Sequence, residues 1–241
     1  FEEVAYLLLY GALPTRAELD AYIQKLKSLR GLPDGLKQVL EMIPADAHPM
    51  DVQRTGVSFL GNIEPENGFE NQADTADRLL ACLPSMLLYW HRFHTDGTRI
   101  DTEKDDDSVA GHFLHMLHDA PPSDLHRQCL DTTLILYAEH EFNASTFTGR
   151  VITGTLSDIH SAVTGAIGAL RGPLHGGANE AAMALIEKYQ TAEEATAGVH
   201  GMLERKDLIM GFGHRVYTTS DPRNSVNKRM SKTLAEEAGD M

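Results

Sequence analysis

Two histidines on glycine-flanked turns carry the chemistry this sequence can offer. His175 lies in Arg171-Gly172-Pro173-Leu174-His175-Gly176-Gly177-Ala178-Asn179-Glu180. His214 lies in Gly211-Phe212-Gly213-His214-Arg215-Val216-Tyr217, followed by Ser220-Asp221-Pro222-Arg223. Gly-Pro breaks whatever precedes His175, and the spacing of Ala182, Met183, Leu185, Ile186 and Tyr189 predicts a helix after it. A histidine on the turn into a helix meets free backbone N–H groups and the positive end of the dipole. Protonation is disfavoured there, so the neutral ring can donate a hydrogen bond to an oxygen on which charge develops. Taken alone, either histidine reads equally well as a loop residue whose glycines serve the turn.

Composition narrows the partners. Lys and Arg number 21 against 35 Asp and Glu, a formal charge of −14. That balance argues against nucleic acid and anionic membrane surfaces as general partners. It leaves room for a small anionic substrate, because a cleft can be locally basic, and Arg54, Arg171, Arg215 and Arg223 are available. Two cysteines, Cys82 and Cys129, lie in apolar helical patterns, which suits a reducing, cytoplasmic setting better than a disulfide framework. The nearest apolar run to a bilayer span, Leu79 to Trp90, is too short and contains Pro84.

Metal and nucleotide motifs fail on spacing. His112, His115 and His118 recur every three residues, which drifts around a helix, so core-edge and surface positions are expected rather than ligation. Glu139-His140-Glu141 lacks the second histidine of a zinc-protease helix, since Ala144 occupies that place. Gly211-Phe212-Gly213 lacks the third glycine of a dinucleotide fingerprint. No metal is expected.

The elements that must position these residues read as helices throughout, so the fold class is all-α. Val4, Leu7 and Leu8 predict a buried helix stopped by Gly11. Thr15-Arg16-Ala17-Glu18 is a capping box for a helix with Tyr22 and Leu26 on its apolar face. A short helix over Leu36 to Ile43 follows, then one from His48-Pro49 towards Gly61. Ala73 to Phe93 predicts a long helix bent at Pro84. Asp105, Asp106 and Asp107 supply favourable charge at the next helix start. Leu125 to Glu141 predicts a further helix with Leu130, Leu134 and Ile135 inward. Ser157-Asp158 caps the helix that delivers the chain to Gly172, and Thr191-Ala192-Glu193-Glu194 is a second capping box.

The two histidine stretches together resemble the citrate synthase family. The resemblance extends to His48-Pro49-Met50-Asp51-Val52 with Arg54-Thr55-Gly56, and to Asp105-Asp106-Asp107-Ser108 with Gly111-His112-Phe113-Leu114-His115. It also takes in Ala138-Glu139-His140-Glu141-Phe142-Asn143-Ala144-Ser145 and runs along nearly the whole sequence. The wording is nearest to the family's 2-methylcitrate-forming branch.

What the resemblance implies is specific. The family condenses an acyl-CoA with the ketone of oxaloacetate and then hydrolyses the thioester. Propionyl-CoA is the expected acyl donor, with acetyl-CoA as the alternative, and coenzyme A enters as substrate, no cofactor being permanently bound. His175 would donate to the enolate oxygen and His214 to the ketone oxygen. Arg223, His140 and Arg54 would bind substrate, Asn143 and Ser145 would orient His175, and Leu208, Ile209, Met210, Gly211 and Phe212 would receive coenzyme A. The implied fold is a large helical domain over 1–172 and the start of a small helical domain over 173–241, in a homodimer. The family's general base is an aspartate in a context expected past Met241, so the sequence is expected to be truncated at both ends. An inactive helical interaction fragment is the alternative of another class.

Overall fold

The structure, a computed structural model, describes residues 1–214 and 216–239. Arg215, one of the four arginines offered above, lies outside them, as do Asp240 and Met241. Twelve α-helices and one short 3-10 turn are found among the described residues, and no strand. The all-α expectation holds.

The longest helix, α5 (Gln72–Asp96), is the element the others surround. It buries Leu79, Cys82, Met86, Leu88, Tyr89 and Trp90 and continues through Pro84. The helices α2 (Arg16–Ser28), α3 (Asp34–Met42), α4 (Pro49–Ile63) and α6 (Val109–His118) all pack on it. Leu36, Leu40, Val52, Val57 and Leu60 join its apolar face in one core. One carboxylate inside this packing is fully paired. Asp77 of α5 is fully buried and accepts from Tyr22 Oη at 2.9 Å and Lys25 Nζ at 2.6 Å, which ties α2 down.

Caps decide several boundaries. Thr15 and Glu18 form the expected capping box, and His48 caps α4 by accepting from Met50 N–H at 3.1 Å, with Pro49 at the first helical position. Asp158 caps α9 (Ile159–Leu170), which lies against α4 and against α8 (Ala144–Thr153). Thr191 caps α11 (Ala192–Arg205), but the carboxylate of Glu194 reaches Gln190 N–H instead of closing the box on Thr191.

Four sequence expectations need correction. The first helix, α1 (Glu2–Tyr10), stops at Gly11 with φ 81° as expected, yet Leu8, Leu9 and Tyr10 are exposed. The helix expected over Leu125 to Glu141 is α7 (Asp124–Tyr137), and Ile135 on it faces outward. It ends early because the chain reverses through Glu141 at φ 52°, which frees 138–143 as a turn. A helix absent from the sequence reading, α8, then starts on the Asn143 cap. Of the three aspartates, Asp105 and Asp107 pair with Lys27 across the fold, and only Asp106 turns to the helix, where it meets His115 at 3.0 Å. Ser108 is the cap.

Candidate active site

The turn at 138–143 and the start of α8 hold the first histidine. Asn143 Oδ1 accepts from Thr146 N–H at 3.0 Å and fixes the helix end. Ser145 in that first turn donates its backbone N–H to His175 Nε2 at 3.3 Å, and its hydroxyl lies 2.9 Å from the same nitrogen. Ser145 Oγ also lies 2.7 Å from Asn143 Oδ1. A backbone N–H cannot rotate away, so Nε2 must be the lone-pair nitrogen and Nδ1 must carry the proton. Burial lowers the His175 pKa, which keeps the ring neutral.

His175 does stand on the turn into α10 (Gly177–Ile186), as its sequence context predicts. The helix end that faces its ring, however, belongs to α8. Glycine is required beside it: a Cβ on Gly176 would lie 2.6 Å from Leu170 O, the last residue of α9. The imidazole thus sits on the turn into α10 with its Nε2 against the start of α8.

The second histidine belongs to an aromatic group. His214 Nδ1 accepts from Val216 N–H at 3.1 Å, which leaves the proton on Nε2. Its ring lies 5.2 Å from that of His140 and 4.7 Å from that of Tyr217. Tyr217 Oη is 2.9 Å from His140 Nε2. The Arg223 guanidinium sits 5.9 Å from the Tyr217 ring and 5.6 Å from the Tyr137 ring, within cation–π range. Arg223 also grips Asp221 through Nε at 3.0 Å and Nη2 at 2.6 Å. That guanidinium holds the Asp221 carboxyl down at about 2. Asp221 doubles as the cap of α12 (Pro222–Ala238), so the Asp-Pro-Arg motif both starts a helix and aims an arginine.

One short stretch joins the two groups. His140 touches His214, and Ser145, five residues on, touches His175. Asn179 of α10 donates to Tyr137 Oη at 3.3 Å, closing the same circuit through the tyrosine under Arg223. His140, Asn143, Ser145, His175, His214 and Arg223 are therefore brought together.

Other expected site residues lie apart. Arg54 pairs with Asp51 at 3.0 Å, which Arg171 also holds at 3.2 Å, and has no contact with the histidine group among the described residues. Leu208 and Phe212 are exposed, Ile209 and Met210 half-buried, and a Cβ on Gly211 would come within 3.1 Å of Ala182 Cβ. The 208–212 loop thus lies along α10 and holds no strand. Tyr137, Tyr217 and Asn179 were not singled out from sequence. Tyr217 and Asn179 sit inside the two motifs and were within reach of that reading; Tyr137 carries no signal beyond a helix position.

Comparison with known proteins bears on this arrangement. The family described as "Citrate synthase, C-terminal domain" matches residues 1–241. The chain is 63% identical over 240 residues to a 2-methylcitrate synthase of Shewanella oneidensis, covering 100% of this chain and 64% of that one. It is 40% identical over 243 residues to a citrate synthase of Heyndrickxia coagulans, covering 99% of this chain and 65% of that one. Among solved structures, it is similar to citrate synthase from the archaeon Thermoplasma acidophilum in ternary complex with carboxymethyl coenzyme A and oxaloacetate. That likeness has TM-score 0.90 and 32% identity, and covers 98% of this chain and 62% of that one. The chain therefore spans less than two thirds of the length of these relatives. A family match over every residue, together with the fold and the paired-histidine site, places this chain in the citrate synthase family.

Proposed function

We propose that the protein to which this chain belongs condenses propionyl-CoA with oxaloacetate and hydrolyses the thioester, giving 2-methylcitrate and coenzyme A. The observation that carries the reading is the pair of fixed tautomers. His175 presents Nδ1–H and His214 presents Nε2–H, and neither of those nitrogens has a partner among the described residues. Two neutral donors suit two oxygens that gain charge in succession. Loss of the proton beside the thioester carbonyl puts charge on the thioester oxygen, where His175 donates. The carbon then attacks the ketone, forming the new C–C bond, and His214 donates to the ketone oxygen, which becomes the product hydroxyl. Water cleaves the thioester, and the sulfur leaves as the thiol of coenzyme A. No described residue is assigned as the base on carbon.

Arg223 and His140 lie beside His214 and suit the carboxylates of oxaloacetate, Arg223 by its planar fork. Arg54 is kept as a more distant substrate contact. The 208–212 loop, lying along α10, suits the coenzyme, with Gly211 allowing close approach. The complex that the Thermoplasma acidophilum enzyme forms supports both substrate classes. The reading also carries a division near Gly172-Pro173, a homodimer and a cytoplasmic setting. Burial supports the division, since Leu185 is the buried residue described after Gly172; exposed Phe147 and Val151 on α8 offer apolar surface for a second copy. No helix among the described residues is long and apolar enough to cross a membrane.

Thiol release from propionyl-CoA plus oxaloacetate tests the reaction, and His175→Ala should lower kcat roughly 10²–10³-fold. Unchanged turnover in that variant would reject the role of His175. Acetyl-CoA is the second reading, favoured by relatives such as the Heyndrickxia coagulans citrate synthase. One methylene discriminates by only about 1–3 kcal/mol, so a kcat/KM ratio of about 10 to 100 for propionyl over acetyl is expected. A ratio favouring acetyl-CoA overturns the first reading.

A further inference from the structure

Tyr217 contacts both histidines of the second group and its arginine. Its hydroxyl is 2.9 Å from His140 Nε2, its ring is 4.7 Å from that of His214, and the Arg223 guanidinium is 5.9 Å from it. Nothing in the reading above uses it. A phenol is a good donor and a poor acceptor, because its oxygen lone pair is delocalised into the ring. The lone-pair nitrogen of an imidazole is a good acceptor. The favourable arrangement is therefore Oη–H of Tyr217 donating to Nε2 of His140. The reverse arrangement would leave the phenol proton without an acceptor among the described residues and would strip Nδ1 of its hydrogen.

That distinction decides what His140 can bind. With the proton on Nδ1, the free edge of the ring is a donor, and a carboxylate oxygen can accept from it. With the proton on Nε2, the free edge is a lone pair that repels a carboxylate. The nitrogen in question has no partner among the described residues, so the tautomer is read directly by whatever ligand arrives. We infer that Tyr217 is a positioning residue: its hydroxyl holds His140 as the Nδ1–H tautomer, so that a neutral histidine can donate to a substrate carboxylate beside Arg223. The inference rests on the dicarboxylate reading of the site only for its ligand.

Measurements on the protein, with Tyr217→Phe and Arg223→Gln variants, test it and separate it from that reading. Long-range proton–nitrogen NMR correlations of ligand-free protein report which nitrogen of His140 is protonated. The expected wild-type signature is a protonated Nδ1, replaced in Tyr217→Phe by exchange between the two forms. Calorimetric titration with oxaloacetate should then show about tenfold weaker binding in Tyr217→Phe. Propionyl-CoA turnover should show that loss mainly in KM, with kcat less affected. A Phe ring keeps the stacking on His214, so a thermal midpoint equal to wild type excludes misfolding as the cause. A protonated Nε2 in the wild type, or an unchanged tautomer and affinity in Tyr217→Phe, overturns the inference. Loss of oxaloacetate binding in Arg223→Gln with Tyr217→Phe unaffected sinks the inference and leaves the dicarboxylate reading standing. Full binding in Arg223→Gln removes the dicarboxylate reading, while the NMR arm still decides the tautomer.

Discussion

Around α5, one helix alone buries Leu79, Cys82, Met86, Leu88, Tyr89 and Trp90; from Gly172 to Gly239, Leu185 is the buried residue among those described. The first region is held by apolar area removed from water, which is large and non-directional. The second, which carries both candidate imidazoles, meets the first through the packing of α12 on α7 and through discrete polar contacts. Ser145 holds His175, Tyr137 meets Asn179, His140 meets Tyr217, and His48 meets Glu180 at 3.0 Å. Hydrogen bonds fix direction where apolar packing does not. Stability and aim are thus assigned to different parts of the chain.

Substitutions should separate the two regions. The largest effect is expected in the core, where Leu40 is fully buried between α3 and its neighbours. Leu40→Ala should cost about 2–5 kcal/mol of unfolding free energy, read by urea denaturation, with kcat per folded molecule nearly unchanged. A large loss of kcat at full folding would break the separation.

The next effect is a pH dependence centred on a histidine of the core. His112 is 0% exposed, with Ser85 Oγ 3.3 Å from Nε2 and Asp106 Oδ2 3.7 Å from Nδ1. Burial first, and the nearby Arg30 charge second, push its pKa down to about 4, against the pull of Asp106. A free imidazole titrates near ~6.5. Between those values the unfolded chain binds more protons, so the stabilisation is complete above ~6.5 and is lost as pH falls towards about 4. Denaturation should show about 2 kcal/mol less stability at pH 5 than at pH 7 from this group, and His112→Gln should flatten the slope. An identical slope in the variant would remove His112 from the account.

Gly176→Ala probes the junction. Its Cβ would meet the Leu170 carbonyl at 2.6 Å, and a backbone atom cannot move aside cheaply. A cost of about 1–3 kcal/mol is expected, with a larger fractional loss of activity because the turn aims His175. Activity at the wild-type level would mean that the turn tolerates a shift. The smallest effect is expected from Glu180→Gln, whose carboxylate is exposed and meets His48 at the surface. A change of about twofold or less in kcat/KM is expected for such a pair. A tenfold loss would show that this contact, and not the Ser145 contact, sets the position of α10.

Much of the site was legible in the sequence because its signals are local. Glycines bracketing His175 and His214 mark turns, and Asp221-Pro222 marks a helix start, each through the backbone of adjacent residues. The missed helix α8 is rich in Thr and β-branched residues, whose weak propensity hides a helix that α9 and the Asn143 cap stabilise from outside. The end of α7 was misplaced for a related reason: the apolar pattern runs on to Ala138, while the left-handed Glu141 reverses the chain. Arg54 could be recognised as an available arginine, but its Asp51 partner is shared with Arg171, just past the end of α9 and far along the sequence.

By itself the sequence determined the all-α class, the capped starts of the helices and the two histidine turns, since all of these depend on neighbouring residues. Which ring nitrogen of His175 carries its proton was decided only in three dimensions, where a backbone N–H from the start of α8 occupies Nε2. The same holds for the face that His140 offers and for the ring beneath Arg223. An imidazole has two equivalent choices of proton position until something fixed approaches one of them, and that approach is a property of packing.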